Sequence, residues 1–185
     1  MNEPLKILGI AGSLRLASYN RAALAAAQGL GMESVTLEIF DLEGLPLFNQ
    51  DKENQPAPKV TEFKRKIREA DAILFSTPEY NYSIPGVLKN AIDCASRPYG
   101  DSAWRGKPVA VMGASIGSFG TARAQYHLRQ CFIFLDMLPI NHPEVMIGDA
   151  GHAFDQEGNL VHATSLALIR ELMENLVRWT RQLKK

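Results

Sequence analysis

Residues 7 to 27 constrain the fold of this chain more than any other stretch. An apolar run, Ile7-Leu8-Gly9-Ile10-Ala11, reads as a buried strand. A loop of small and polar residues follows, from Gly12 through Ser13, Arg15 and Ser18 to Tyr19 and Asn20. Arg21-Ala22-Ala23-Leu24-Ala25-Ala26-Ala27 then reads as a helix. A strand that passes into a helix through such a loop opens an α/β unit, and it is where such proteins hold phosphate. Backbone N–H groups at the helix start point at the anion, and the helix dipole favours it. Ser13, Ser18 and Asn20 add neutral donors, Arg15 adds a planar guanidinium suited to phosphate oxygens, and the amides of Tyr19 and Asn20 lie near the helix start. The pattern fits the terminal phosphate of a mononucleotide. An ordinary helix cap at Ser18 beside a surface arginine would carry the same residues.

The rest of the chain repeats the alternation. Leu5 to Ala11 is the first predicted strand and Ser18 to Gly29 the first helix. Val35 to Phe40 alternates with period two and is the second strand. A polar loop with Pro46, Pro56 and Pro58 leads to an amphipathic helix over 59–70. Asp71 to Thr77 is the third strand, Pro85 opens a helix reaching Ser96, and Pro108 to Gly113 is the fourth strand. A long helix follows over 121–135. The fifth strand lies within 137–147, interrupted by Pro139 and Pro143. Leu166 to Leu183 forms a terminal helix with Leu166, Ile169, Leu172, Leu176, Val177 and Leu183 on one stripe. Five strands each followed by a helix predict an α/β fold, a five-stranded parallel sheet covered on both faces. No repeat, low-complexity tract or linker divides residues 1–185, so one domain is expected.

In such sheets ligands bind beyond the carboxyl ends of the strands, where the strand order reverses. The loops after the first, third and fourth strands are therefore decisive. The second of these, Thr77-Pro78-Glu79-Tyr80-Asn81-Tyr82-Ser83-Ile84-Pro85-Gly86, is stiffened by its prolines and presents amides and aromatic edges, a fitting wall for a flat heteroaromatic ring. The third, Gly113-Ala114-Ser115-Ile116-Gly117-Ser118-Phe119-Gly120, has glycines that let backbone approach a ligand. No G-x-G-x-x-G fingerprint follows the first strand, and no G-x-x-x-x-G-K-[ST] loop is present. There is no G-x-S-x-G elbow and no cysteine in the first loop, which removes hydrolase and cysteine-phosphatase readings. His127, His142, His152 and His162 lack zinc-ligand spacing, and the turn from Asp155 to Asn159 lacks the register of a calcium loop, so no metal is expected.

The 20 basic and 20 acidic residues give a formal net charge of +0, unlike the basic footprint of a nucleic-acid binder. Cys94 and Cys131 fall in predicted helices among apolar neighbours, as free thiols in a reducing compartment do. No run approaches the roughly 18 apolar residues of a membrane span, and no secretory leader is visible, so a cytoplasmic protein is expected.

Taken together, the three loops resemble those of the NADPH-dependent FMN reductase family, within the flavodoxin-like fold. Gly12-Ser13-Leu14-Arg15 with Ser18 and Asn20 matches the family's phosphate loop. Thr77-Pro78-Glu79-Tyr80-Asn81 leading to Pro85-Gly86 and Leu88-Lys89-Asn90-Ala91-Ile92-Asp93 is the most specific signature. Leu45-Pro46-Leu47-Phe48-Asn49 and the glycine-rich loop running into Arg123, Gln125 and Tyr126 match further elements. Within the family, the chain is most similar to bacterial chromate and quinone reductases.

The resemblance implies a flavodoxin-like three-layer sandwich with strand order 2-1-3-4-5. It also implies FMN bound by Ser13, Arg15, Ser18, Tyr19 and Asn20 at its phosphate and by Pro78, Glu79, Tyr80, Asn81, Ser115 and Gly117 at its ring. NADH or NADPH would supply hydride, and quinones, chromate or azo compounds would receive it, with ping-pong kinetics and no obligate catalytic side chain. A homo-oligomer, dimer or tetramer, is implied, with Tyr82, Arg123, Tyr126 and Glu144 at the contact; Cys94 stands where relatives often carry tryptophan. Arg97 and Arg105 are candidates for attracting a nicotinamide phosphate or an anionic acceptor, or else solvated charges at a helix end and a strand entry. Two other classes compete with the reductase: a flavodoxin-type single-electron carrier, which the neutral charge disfavours, and a flavin-based redox sensor.

Overall fold

A computed structural model describes residues 3–184. Strand β1 (Leu5–Ala11) leads into helix α1 (Tyr19–Gln28), then β2 (Val35–Phe40). After a long loop with one 3-10 turn come α2 (Pro58–Glu69), β3 (Ala72–Ser76), α3 (Gly86–Ser96), β4 (Pro108–Ala114) and α4 (Ala122–Leu135). Two short strands, β5 (Leu138–Pro139) and β6 (Val145–Ile147), precede the short α5 (Ala150–Ala153) and the long α6 (Ala163–Leu183). All pairings are parallel, and the sheet order is β2-β1-β3-β4-β5, with β6 also on β4. This is the flavodoxin-like order.

The period-two pleat separates two cores. Leu5 and Ile7 of β1, Ala72 and Leu74 of β3, and Ala110 and Met112 of β4 face α1 and α6. Leu8 and Ile10, Ile73 and Phe75, and Val109 and Val111 face α2, α3 and α4. The first face uses small sheet residues opposite the alanines of α1, which lets that helix approach closely. The second is aromatic: Phe40, Phe63, Phe75, Trp104 and Phe132 stack in a chain with centroids 4.8–5.8 Å apart. Trp104 is fully buried because its indole N–H donates to the Ile92 carbonyl at 3.1 Å.

Three sequence expectations shift. The fifth strand is split, since Pro139 and Pro143 each lack an N–H for the ladder. Side chains from neighbouring helices satisfy the freed carbonyls: Arg129 donates to Ile140, Gln125 to Val145, Asn175 to His142 and Trp179 to Leu138. The terminal helix begins at Ala163, and Leu183 is exposed at its frayed end. Met173 and Thr180 complete the buried stripe instead. Pro85 caps α3 from outside rather than occupying its first helical position. Among the described residues no helix is long and apolar enough to cross a membrane.

Candidate functional site

Because every strand runs the same way, the loops after β1, β3 and β4 emerge at one edge. The order reverses beside β1, where the chain goes first to β2 and then crosses back to β3. The first loop is held from below. Gly12 N–H donates to the Ser76 carbonyl, and Ser13 Oγ accepts from the Arg15 amide. Ser18 caps α1, its hydroxyl accepting from the amides of Asn20 and Arg21. The N–H groups of Leu16, Ala17 and Tyr19 have no acceptor among the described residues. Arg15 is exposed beside them, and Leu16 is 90% exposed. Unpaired amides, a cationic fork and the positive end of a ten-residue helix together form an anion cradle. Arg15, Ser18 and Tyr19 line a crevice of about 680 Å³ whose other wall is Gly151 and Phe154 to Asn159, and which residues 78–81 and 115–117 do not line.

Asn20 is placed differently from the sequence expectation. Its side chain is only 2% exposed and points into the sheet. Its Nδ2 donates to the Ala114 carbonyl, and its Oδ1 accepts from the Ala114 amide and from Ser76 Oγ, at 2.9–3.0 Å. All three bonds are internal, so the amide stitches the first loop to the ends of β3 and β4. One supporting residue was not anticipated. Arg21 donates to the Ser13 carbonyl and pairs with Asp41 at 2.6 Å, bracing the loop from behind. Burial opposes ionisation of Asp41, but the Glu43 amide and the Arg21 guanidinium hold its carboxyl below the usual range.

The second loop is a rigid wall. Tyr80 and Ser83 exchange both backbone hydrogen bonds at 3.0 Å. The intervening Asn81 and Tyr82 both have positive φ, +50° and +66°. This is a two-residue turn of the mirror-image type, unusual without glycine. The Glu79 carboxylate is directed to the start of α4 and accepts from the amides of Arg123 and Ala124 at 3.0 and 3.1 Å. Arg123 closes the arrangement, pairing with Glu79 at 2.5 Å and stacking on the Tyr82 ring at 3.8 Å.

The third loop folds over the end of β4. Ser115 Oγ accepts from the Gly117 amide, and the Ser115 backbone bonds to Ile147 and Ala150. Glycine is required at two places. A Cβ on Gly113 would collide with Thr121 Oγ1 and the Thr77 carbonyl, and Gly120 has φ +59° against the Met146 backbone.

Ser13, Arg15, Ser18, Pro78 to Asn81, Ser115 and Gly117 thus gather at one edge. Arg97 and Arg105 do not. Arg97 follows the last turn of α3, pairs with Glu53 at 2.8 Å and lies over the Tyr99 ring at 3.7 Å. It borders a cavity of about 730 Å³ between the 46–57 loop and the flank of α2 and α3, whose lining does not include the phosphate loop. Arg105 precedes β4, about 20 Å of strand from Ser115, in an exposed pair with Asp136. Of the four expected contact residues, Arg123 and Tyr126 lie on the first half of α4, and Tyr82, in the second loop, stacks on Arg123. Tyr126 lies beside Glu144, whose carboxylate raises the phenol above its ordinary range. Burial pushes both the Cys94 and Cys131 thiols up, so neither is an activated nucleophile.

A doubly wound parallel sheet with an anion cradle, a stiff polar wall and a glycine loop at its switch point defines a flavodoxin-like mononucleotide-binding protein. The sequence profile described as NADPH-dependent FMN reductase matches residues 5–152, and the chain belongs to that family. It is an FMN-dependent NAD(P)H oxidoreductase. It is 52% identical over 185 residues to an NAD(P)H-dependent FMN reductase of Pseudomonas aeruginosa, covering 100% of both chains. It is 41% identical over 177 residues to a 2-hydroxy-1,4-benzoquinone reductase of a Burkholderia species, covering 96% of this chain and 97% of that one. Among solved structures, FerB, a flavoenzyme NAD(P)H:(acceptor) oxidoreductase from Paracoccus denitrificans, is similar at a TM-score of 0.88 and 32% identity, over 96% of this chain and 98% of that one.

Proposed function

We propose that this protein reduces quinones, and acceptors such as chromate or azo compounds, at the expense of NADH or NADPH. The observation that carries the reading is the set of unpaired amides at residues 16, 17 and 19 beside Arg15, at the same edge as the 78–81 wall. Ser13, Arg15, Ser18 and Tyr19 would hold the FMN phosphate, with Asn20 fixing the loop that carries them. Pro78, Tyr80, Asn81, Ser115 and Gly117 would flank the ring, and Glu79 would belong to that wall through its backbone, its carboxylate being bonded to α4. Bound FMN supplies hydride acceptance from the nicotinamide and hydride donation to the acceptor. The protein binds and orients, and a released quinol takes its proton from water. The likeness to a Burkholderia protein named 2-hydroxy-1,4-benzoquinone reductase supports a quinone acceptor.

The reading extends to assembly and location. Residues 1–185 act as one domain, consistent with a single sheet and two continuous cores among the described residues. Tyr82, Arg123, Tyr126 and Glu144 form the contact of a homodimer or homotetramer, an arrangement favoured by the exposed Tyr82 and Tyr126 rings. Two free cysteines suit the cytoplasm.

Anaerobic mixing of the FMN-loaded protein with NADH or NADPH tests the reading. Rapid loss of the yellow absorbance, recovered on adding a benzoquinone, is expected. Absorbance that persists with both nicotinamides would assign the protein to the carrier or sensor class.

A further inference from the structure

We propose that Glu79 is a positioning residue for the flavin ring, acting through its carboxylate on helix α4 rather than by touching the cofactor. The inference rests on the ring lying against residues 78–81. Helix α4 begins without a side-chain cap, since Thr121 makes no capping bond. Its first free amides, those of Arg123 and Ala124, are satisfied from a segment 44 and 45 residues earlier, by Glu79 Oε2. The other oxygen pairs with the Arg123 guanidinium, and the Glu79 side chain is 7% exposed. A nearly buried carboxylate is tolerable there because two amides, a guanidinium and the positive helix end all face it.

The same carboxylate fixes the wall next to it. Asn81 and Tyr82 occupy left-handed backbone that non-glycine residues rarely adopt, and such conformations persist only where their surroundings over-determine them. Glu79 supplies one constraint by anchoring the start of the turn to α4. It supplies a second through Arg123, held in place to stack on Tyr82. His127, one turn further along α4, adds a contact to Ser83 at 3.0 Å. The backbone of Tyr80 and Asn81 is therefore held from the side of α4.

The test compares riboflavin and FMN affinities by flavin fluorescence titration in Glu79→Ala, Glu79→Gln and Gly117→Trp. Glu79→Ala should weaken both flavins by the same factor, about tenfold, the equivalent of one lost charged hydrogen bond. Glu79→Gln keeps an oxygen for the two amides but turns an NH2 toward the Arg123 guanidinium, so both affinities should fall between those of the parent and Glu79→Ala. Affinities unchanged in Glu79→Ala, with or without a lower melting temperature, overturn the proposal and leave Glu79 a helix cap only. Weakened FMN with unchanged riboflavin overturns it too, since the effect would then lie at the phosphate. Glutamine as weak as alanine overturns the capping route. Gly117→Trp fills the ring position from the opposite loop and should abolish binding of both flavins. Binding retained there would overturn the ring placement itself, separately from the role of Glu79.

Discussion

At the scale of single residues, the site separates groups that face the ligand from groups that hold them. Arg15 is exposed and its guanidinium has no protein partner among the described residues, which leaves its fork for an anion. Arg15→Ala should weaken FMN binding by about 1–3 kcal/mol, the worth of a charged hydrogen bond, and leave riboflavin affinity near the parent value. Fluorescence titration with both flavins checks this. Asn20 sits five residues away, carries comparable donors and faces inward. Its motif position was legible from sequence, but its direction was not. The acceptor it meets, Ala114, is 94 residues away, and nothing local to Asn20 encodes that meeting. Arg21 escaped notice for the same reason. It reads as an ordinary first-turn helix residue until Ser13 and Asp41 are brought to it.

At the scale of elements, the site edge depends on how tightly strand ends and helix starts approach. Gly113 is the narrowest point, where β4 passes the Thr77 carbonyl and Thr121. Gly113→Ala should destabilise the fold by on the order of 3 kcal/mol through overpacking that no flexible side chain can relieve, as read by urea unfolding. A second prediction concerns the segment joining α3 to β4. Asp101 bridges Lys64 at 2.7 Å and Arg68 at 2.6 Å, and Lys64 also donates to the Arg97 carbonyl, so the segment is pinned to α2. The Lys64 hydrogen bond is the main cause holding the Asp101 carboxyl below its ordinary value; partial burial opposes it, and Arg68 assists. A depressed folded value stabilises above the ordinary aspartate range, and that contribution is lost as pH falls through the folded value. Asp101→Asn should therefore be less stable than the parent at pH 7, with the difference closing below about pH 4. Thermal melts at both pH values measure it.

At the scale of the whole molecule, one face of α4 carries the residues expected at a subunit contact. Arg123 and Tyr126 are three apart and so share that face; Tyr82 stacks on the first, and Glu144 lies beside the second. The double variant Arg123→Ala/Glu144→Ala should lower the assembled mass in sedimentation velocity while its circular dichroism stays unchanged. A mass equal to the parent's would remove these residues from the contact. Arg97 and Arg105 belong to another part of the molecule. Their charges are paired to Glu53 and Asp136, away from the loop edge.

The sequence by itself determined the layering. Apolar periodicity is local, each strand and helix carries its own, and five alternations suffice for a parallel sheet with helices on both faces. It also determined which loops matter, because a parallel sheet brings every strand-to-helix loop to one edge. Only the tertiary structure decided which polar atoms remain free at that edge. A donor or acceptor is available to a ligand only if nothing else in the protein pairs with it, and the partners lie far off in the chain: Ala114 for Asn20, and the amides of Arg123 and Ala124 for the Glu79 carboxylate. Satisfaction of buried polar groups is a property of the packed molecule, so the inward turn of both side chains, and the split of the last strand around its prolines, became visible only there.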